Sequence, residues 1–588
     1  MKKYIKRSLL ALAAIITVTT VFIAIWIRPP AAAEERLFYG GPVITMADAG
    51  VVEAVLVRDG KIVAVGDEAE VHALASPSVT KINLDGRTLM PGLIEPHSHM
   101  IASALLGAAI DVSGFAHDSR AEVMATLRRE LEDWQGGEWA IAFGWDPVMV
   151  DDLEPPTLAE LDALSPERPL VILTQMMHDA YANTKALKAA GILEDSPNPP
   201  GGEYVRDADG KLTGTLREVG AIGVILGAPP APPKGAADLL LNLQMGAYAR
   251  AGYTTVAELG PVGRVHDPVA LLKRRLEAEG APIRGLIYAL PPQISPSQTP
   301  EDKDKTGAVV GVKFWMDGSP YAGGAAFEEP YEDSALVRER LHLKAGHRGA
   351  LNYSGDDFEA AFAAYHRRGY QIAVHVQGER AVDRVLDAAE KAFEASPRAG
   401  HRHRLEHNAL ITKAQLERAQ ILGFTTSFFI DHIYFYGHRL PELVGEARTQ
   451  RYMPIRTALE AGHHVSFHGD HPATPIGPFR SFATAALRIP RRGEAALGAH
   501  ERLSRLEALQ AMTTGPAWQL GLEHERGSLE VGKSADLVML SHNPLETDDA
   551  DLHDIRAQKT WIEGREVDAR VATRSNAGLL WDVIIGFF

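Results

Sequence analysis

Pro91-Gly92-Leu93-Ile94-Glu95-Pro96-His97-Ser98-His99 is the stretch on which the reading of this chain turns. Alternate residues of an extended strand point to one side, so His97 and His99 can present both imidazoles to one ion, behind the apolar lead-in that a buried barrel strand needs. Such a pair also arises by chance on polar surfaces, and its weight comes from what lies further along. His375 ends Ile372-Ala373-Val374, His407 ends Arg404-Leu405-Glu406, and Asp470 ends Val465-Ser466-Phe467-His468-Gly469. Several apolar or mixed runs thus each finish on a ligand-type residue. In a parallel barrel the C-terminal strand ends converge on one face, where active sites are built.

Outward from these strand ends, the middle of the chain alternates β-like runs with amphipathic helical stretches. Runs at 309–315, 372–376 and 464–467 are separated by segments such as Glu379–Ala395, where Ala381, Val382, Val385, Leu386, Ala389 and Phe393 fall on one helical face. That alternation predicts an α/β architecture with a parallel sheet. Short β-rich runs with turn dipeptides flank it: 55–58, Asp59-Gly60, 62–65 and Asp85-Gly86 on one side, and 535–540, Asn543-Pro544, 559–562 and Glu563-Gly564 on the other. Segments so far apart form one small sheet domain if the chain leaves it, builds the larger object and returns. Pro-rich stretches at 229–233 and 291–300 are loop or linker candidates.

The 588 residues allow about four domains at a prior of ~150 residues each, although one α/β barrel absorbs ~250 or more. With 46% apolar and 23% charged residues, 53 Gly and 36 Pro, usage is globular, which excludes a mostly disordered, collagenous or coiled-coil chain. The 60 Lys and Arg against 76 Asp and Glu give a net charge of −16, the wrong sign for general nucleic-acid binding. The absence of cysteine excludes disulfide scaffolds, thiolate-ligated metals and thiol catalysis together, so any metal must use His, carboxylate or Lys-derived ligands.

Lys2, Lys3, Lys6 and Arg7 precede residues 9–27, an uncharged run that at ~1.5 Å per helical residue covers roughly 28 Å, about one hydrocarbon core. Basic residues before such a run favour keeping that end in the cytoplasm, with the rest of the chain exported to the bacterial periplasm or held on the inner membrane facing it. Ala31-Ala32-Ala33 before Glu34 has the small residues of a signal-peptidase site, whereas the length of the run suits an uncleaved transmembrane helix; both readings stand. The stretch 579–588, apolar apart from Asp582, can pack on the barrel, near the membrane or on a partner subunit.

The segments 89–99, Phe143-Gly144-Trp145-Asp146, His178 with Asn183 and Ala186-Leu187, 214–218, 312–319, 375–383, 404–408, Gly469-Asp470 and 527–537 follow an order that resembles the amidohydrolase superfamily. Within it, the likeness is to the YtcJ-like branch, amidohydrolase family 3, which includes N-substituted formamide deformylases, and it spans 36–567. The resemblance implies an α/β protein: a metal-dependent (β/α)8 TIM barrel over 91–515, an inserted α/β subdomain at about 105–235, and a composite β-sandwich from 34–90 and 516–567. A signal peptide or anchor at 1–33 would precede these parts, and an apolar tail at 568–588 would follow.

By the same resemblance, His97 and His99 are first-strand ligands, Lys313 a carboxylated lysine bridging two divalent ions, Zn2+ foremost, His375 and His407 ligands of the second metal, and Asp470 a ligand and the catalytic acid/base. Lys313 stands in Val312-Lys313-Phe314-Trp315, and burial among apolar neighbours leaves an amine neutral enough to capture CO2 as a carbamate. The alternative is an unmodified Lys313 paired with Asp317. Trp145, His178, Asp317 and His471 are placed around the substrate, in a pocket that also draws on Met176, Met177, Phe428, Phe429, Tyr434 and Phe435. The chain departs from the commonest family pattern at Glu95, where a shorter Asp is frequent, and at His468 and His471, where small or apolar residues are usual. These two histidines either reshape the pocket or ligate in place of an expected group.

The implied reaction is hydrolysis of the C–N bond of a small apolar or aromatic N-acyl or N-formyl compound, with Asp470 moving the proton. Ester or lactone hydrolysis uses the same machinery, and a non-catalytic membrane-attached binding protein would have lost ligands. The expected partner is a small-molecule substrate and not nucleic acid; a homo-oligomer and membrane attachment through an uncleaved N-terminal segment are compatible with the sequence.

Overall fold

The computed structural model describes residues 35–134, 137–230, 235–263, 265–295 and 297–567. Eight parallel strands succeed one another in chain order: β1 (Leu93–Ser98), β2 (Tyr253–Leu259), β3 (Arg284–Ala289), β4 (Ala308–Trp315), β5 (Gln371–Val376), β6 (Arg404–His407), β7 (Thr425–Phe428) and β8 (Val465–Phe467). Helices such as Pro268–Leu276, Gly355–Arg367, Glu379–Ala395 and Lys413–Ile421 return the chain between strands. In Glu379–Ala395, Ala381, Val382, Val385, Leu386, Ala389 and Ala392 are buried at helical spacing. This is the α/β TIM barrel that the strand ends predict. Between β8 and β1 the wall is joined by Gly469 N donating to Glu95 Oε2 at 3.3 Å and His99 N donating to His471 O at 3.0 Å. Ile94, Ala257, Leu286, Val310 and Ala373, with Ala517, Leu520 and Leu522 from below, fill the barrel floor.

The register of β4 decides which of its side chains reach the upper face. Ile287 pairs with Val309 and Tyr288 with Gly311, so Val310 is skipped. A skipped residue inverts the alternation beyond it. Val310 points into the floor, while Val312 and Phe314 pack outward with the main core, leaving Lys313 to face the interior. Gly311 permits this because a Cβ there would lie 2.0 Å from the Tyr288 ring.

The flanking β segments meet as predicted. Thr88–Pro91 from the N-terminal side pairs antiparallel with Leu537–Leu540 from the C-terminal side, in a six-stranded sheet that also holds Val43–Ile44, Val51–Val52, Ala557–Ile562 and Arg565–Glu566. A four-stranded sheet of Glu35–Tyr39, Ala54–Arg58, Lys61–Gly66 and Thr80–Asn83 covers it. The core between them brings Phe38 edge-on to Trp561 at 5.1 Å. Between β1 and β2 the chain inserts a second six-stranded sheet, Ile110–Asp111, Ala140–Trp145, Leu170–Thr174, Asp179–Ala182, Glu203–Arg206 and Leu212–Arg217, with its own small core. The N-terminal segment at 1–33 and the tail at 568–588 lie outside the described residues. Among the described residues no helix is long and apolar enough to cross a membrane.

Candidate metal centre

The upper ends of β1, β4, β5 and β6 and the loop after β8 bring the buried His97, His99, Lys313, His375 and His407 together with the partly exposed Asp470. Asp470 Oδ1 lies 3.4 Å from His97 Nε2 and 3.3 Å from His99 Nε2, and Oδ2 lies 3.9 Å from His407 Nδ1. Lys313 Nζ is 3.1 Å from His97 Nε2, and the His375 and His407 rings are 4.3 Å apart. His407 and Asp470 hold positive φ values of 75° and 49°, as does Asn408 at 59°. Backbone in that region turns a side chain off the strand direction at a cost that local contacts must offset. At β6, Asn408 Nδ2 supplies them by donating to Leu405 O at 2.8 Å and Ser427 O at 3.0 Å.

The imidazoles are oriented from behind. His97 Nδ1 donates to Glu406 Oε2 at 2.8 Å, and Arg404 holds that carboxylate from Nε at 2.6 Å and Nη2 at 3.2 Å. His99 Nδ1 donates to Gly260 O at 3.3 Å. Both rings therefore turn a bare Nε2 toward Asp470, the arrangement in which a second partner fixes a ligand's tautomer. Burial, and after it Lys313, holds His97 and His375 far below the ordinary imidazole range and His99 at about 3. His407 is depressed in the same way by burial and by His375. Burial brings the Lys313 amine down to about 8 and the Asp470 carboxyl up to about 7.

This donor set fits a metal. His375 Nε2, His407 Nε2 and Asp470 Oδ1 are buried atoms with no hydrogen-bond partner, a costly state that a divalent ion would relieve. Among the described residues two groups have ligand atoms within 4.8 Å of one another: His97, His99 and Asp470, and His97, His407 and His468.

The other sequence candidates sit around this cluster in different ways. Asp317 is 3.7 Å from His375 Nε2, but its oxygens accept backbone N–H groups of Ala326, Gln377 and Gly378, which ties the loop after β4 to the end of β5. His178 Nδ1 donates to Glu218 Oε2 at 3.0 Å and Nε2 accepts from Ser319 N at 3.4 Å, linking the inserted subdomain to the same loop. Trp145 is fully buried and lines a cavity of 530 Å3 between the inserted subdomain and the barrel, which none of the six clustered residues lines. His471 turns away, its Nδ1 donating to Thr474 O at 2.8 Å, while its backbone carbonyl receives His99 N.

Sequence reasoning passed over Arg404 and Glu406 as a pair, although their spacing of two places both on one side of a strand. It also passed over Trp315, stacked on His99 at 6.2 Å, and His432, buried against Phe429 at 3.8 Å with neither nitrogen partnered. His401, His403 and His463 are hydrogen-bonded packing residues outside this cluster: His401 Nε2 donates to Leu422 O, His403 Nδ1 accepts from Ile372 N, and His463 Nε2 donates to Leu416 O. His464 stacks on Trp518 at 3.7 Å.

Comparison with known proteins places this arrangement. Residues 80–568 match the model of the Amidohydrolase family. The chain belongs to the amidohydrolase family. This amidohydrolase is 29% identical over 523 residues to an N-substituted formamide deformylase of Arthrobacter pascens, covering 87% of this chain and 94% of that protein. It is 26% identical over 545 residues to the protein named YtcJ of Bacillus subtilis, covering 91% and 99%. In fold it is similar to the crystal structure of an uncharacterized metal-dependent hydrolase from Pyrococcus horikoshii, with a TM-score of 0.69 at 22% identity over 88% of this chain and 99% of that one. As a member of that family it is a hydrolase acting on C–N bonds.

Proposed function

We propose that this amidohydrolase hydrolyses small, apolar or aromatic N-formyl or N-acyl compounds at a pair of divalent ions, Zn2+ foremost, held by His97, His99, Lys313, His375, His407 and Asp470. The observation that carries the proposal is the convergence of these residues on one barrel face, with three of their polar atoms buried and unpartnered. When bound, such ions polarise a carbonyl and lower the pKa of a shared water. Asp470, raised by burial to about 7, can take the water's proton near neutral pH and return it to the departing amine. Lys313, brought to about 8, has enough neutral amine to form a carbamate with CO2, whose two oxygens can bridge two ions.

Several observations support an apolar, uncharged substrate. Phe429 lies 5.8 Å from His407 and Trp315 6.2 Å from His99. The 530 Å3 cavity, a size suited to a small molecule, has Trp145, Met176, Leu212 and Tyr321 in its wall together with Asp146, Asp179, Asp207, Arg217 and Arg340, and it lies beside the six clustered residues without including them. Its wall is tied to the catalytic loop by Gln175 Nε2 donating to Pro472 O and Ala473 O, each at 3.0 Å. The arginines there face carboxylates: Arg217 lies 3.5 Å from Asp179, and Arg340 3.6 Å from Asp151. The name of the Arthrobacter relative puts N-formyl amines first among candidates. Export through 1–33 would place the reaction where compounds arrive from outside the cell.

The test is a hydrolysis panel of N-formyl amines, N-acyl amino acids, dipeptides, lactones and phosphotriesters with zinc-loaded protein lacking residues 1–33. The expected result is turnover of apolar amides across several chain lengths, because an apolar pocket discriminates by only about 1–3 kcal/mol per methylene. Preference for anionic phosphorylated compounds would refute the pocket reading. Lactones or triesters far outpacing every amide would replace amide hydrolysis with esterase activity.

A further inference from the structure

His468, just beyond the end of β8, is not among the six residues taken as ligands, although its ring nitrogen lies within 4.8 Å of ligand atoms of His97 and His407. It is 1% exposed, with its ring stacked on His97 at 4.6 Å. Its nitrogens have partners on opposite sides: Nδ1 lies 2.7 Å from Ser427 Oγ, and Nε2 3.0 Å from His407 Nδ1. Which nitrogen carries the hydrogen follows from His407, whose Nε2 is buried with no partner and is the nitrogen free to face an ion. With that nitrogen bare, the hydrogen of His407 stands on Nδ1 and is donated to His468 Nε2. His468 then carries its own hydrogen on Nδ1 and donates it to Ser427 Oγ.

We propose that His468 is a positioning residue of the metal centre: an imidazole, held by Ser427, that keeps His407 in its Nδ1–H tautomer and aims His407 Nε2 at the ion. The three oriented ligands then use three kinds of acceptor at Nδ1: a carboxylate for His97, a carbonyl for His99 and an imidazole for His407. The sequence alternatives for His468 were a pocket residue or a replacement ligand, and the hydrogen count favours neither.

This inference rests on the metal centre proposed above. Its test is divalent-metal affinity by chelator competition, together with the visible absorption spectrum of the Co2+-loaded protein, for the native chain and for His468→Leu, His468→Gln and Ser427→Ala. His468→Leu should weaken binding roughly 10–100-fold and alter the Co2+ spectrum, as loss of such partners does. His468→Gln, whose amide can accept from His407 and donate to Ser427, should lie nearer to native. If His468→Leu does not fold, Ser427→Ala carries the test, with weaker binding and a shifted spectrum expected. Native affinity and an unchanged spectrum in the folded variants would overturn the inference. So would anomalous scattering that placed His468 Nε2 at about 2.0–2.1 Å from an ion, because the residue would then be a ligand itself. A native chain that takes up no divalent ion would instead end the underlying proposal of a metal centre.

Discussion

Lys313 is a fully buried amine whose nearest polar neighbour is His97 Nε2 at 3.1 Å, with Glu406 and Asp470 as the charges that oppose its loss of a proton. A lone buried ammonium against an imidazole lone pair is a weak solution to burial, and a carbamate that ligates metal is a better one. Lys313→Ala is therefore expected to lose activity and to regain part of it with added short carboxylic acids, and intact-protein mass should show the extra carboxyl group on the native chain. Full activity with an unmodified amine would rule the carbamate out. Individual ligands of this kind were legible because each ends a short apolar run. Glu406 was not read as a partner of His97, because the two lie 309 positions apart and only the closed barrel brings them to 2.8 Å.

Helix Arg505–Gln510 shows how a short element is fixed by its ends. Ser504 caps it, with Glu507 N donating to Ser504 Oγ at 3.3 Å and Glu507 Oε2 accepting Ser504 N at 2.7 Å. Arg456 closes on the same carboxylate at 2.7 and 2.5 Å, and this contact first, then Ser504, holds Glu507 at about 2. A carboxyl held below its unfolded value contributes stability above about 4.5 and loses it as the pH falls toward about 2. Glu507→Gln should lower stability by about 1 kcal/mol at pH 7. Thermal denaturation across pH should show the gap to the native chain closing between about 4.5 and about 2; a gap that persists at the acid end would contradict this. At this scale the periodicity of Glu379–Ala395 was plain in the sequence, because a buried helical stripe repeats. The skip at Val310 was not, because it depends on the Tyr288 ring of the neighbouring strand occupying the space beside Gly311.

Across the whole molecule, the chain returns to close the sheet it began: Leu537 pairs with Pro91 and Met539 with Leu89, and Trp561 is fully buried edge-on to Phe38. Trp561→Ala should cost about 3–5 kcal/mol, read as a lower melting temperature, while leaving the strand-end cluster in place. The split sheet was legible from matching turn-rich runs at both ends, whereas the position of the inserted subdomain over the barrel face depends on long-range contacts such as Gln175 with the carbonyls of Pro472 and Ala473. All of this architecture serves to bring residues from five strand ends to one place, and the claim that they hold metal is the one on which the account depends. Metal analysis of purified protein, native against His97→Ala and His375→Ala, tests it most directly. The account predicts bound divalent metal in the native chain and its loss in both variants, with the circular dichroism of a folded barrel retained; full metal occupancy in both variants would contradict it.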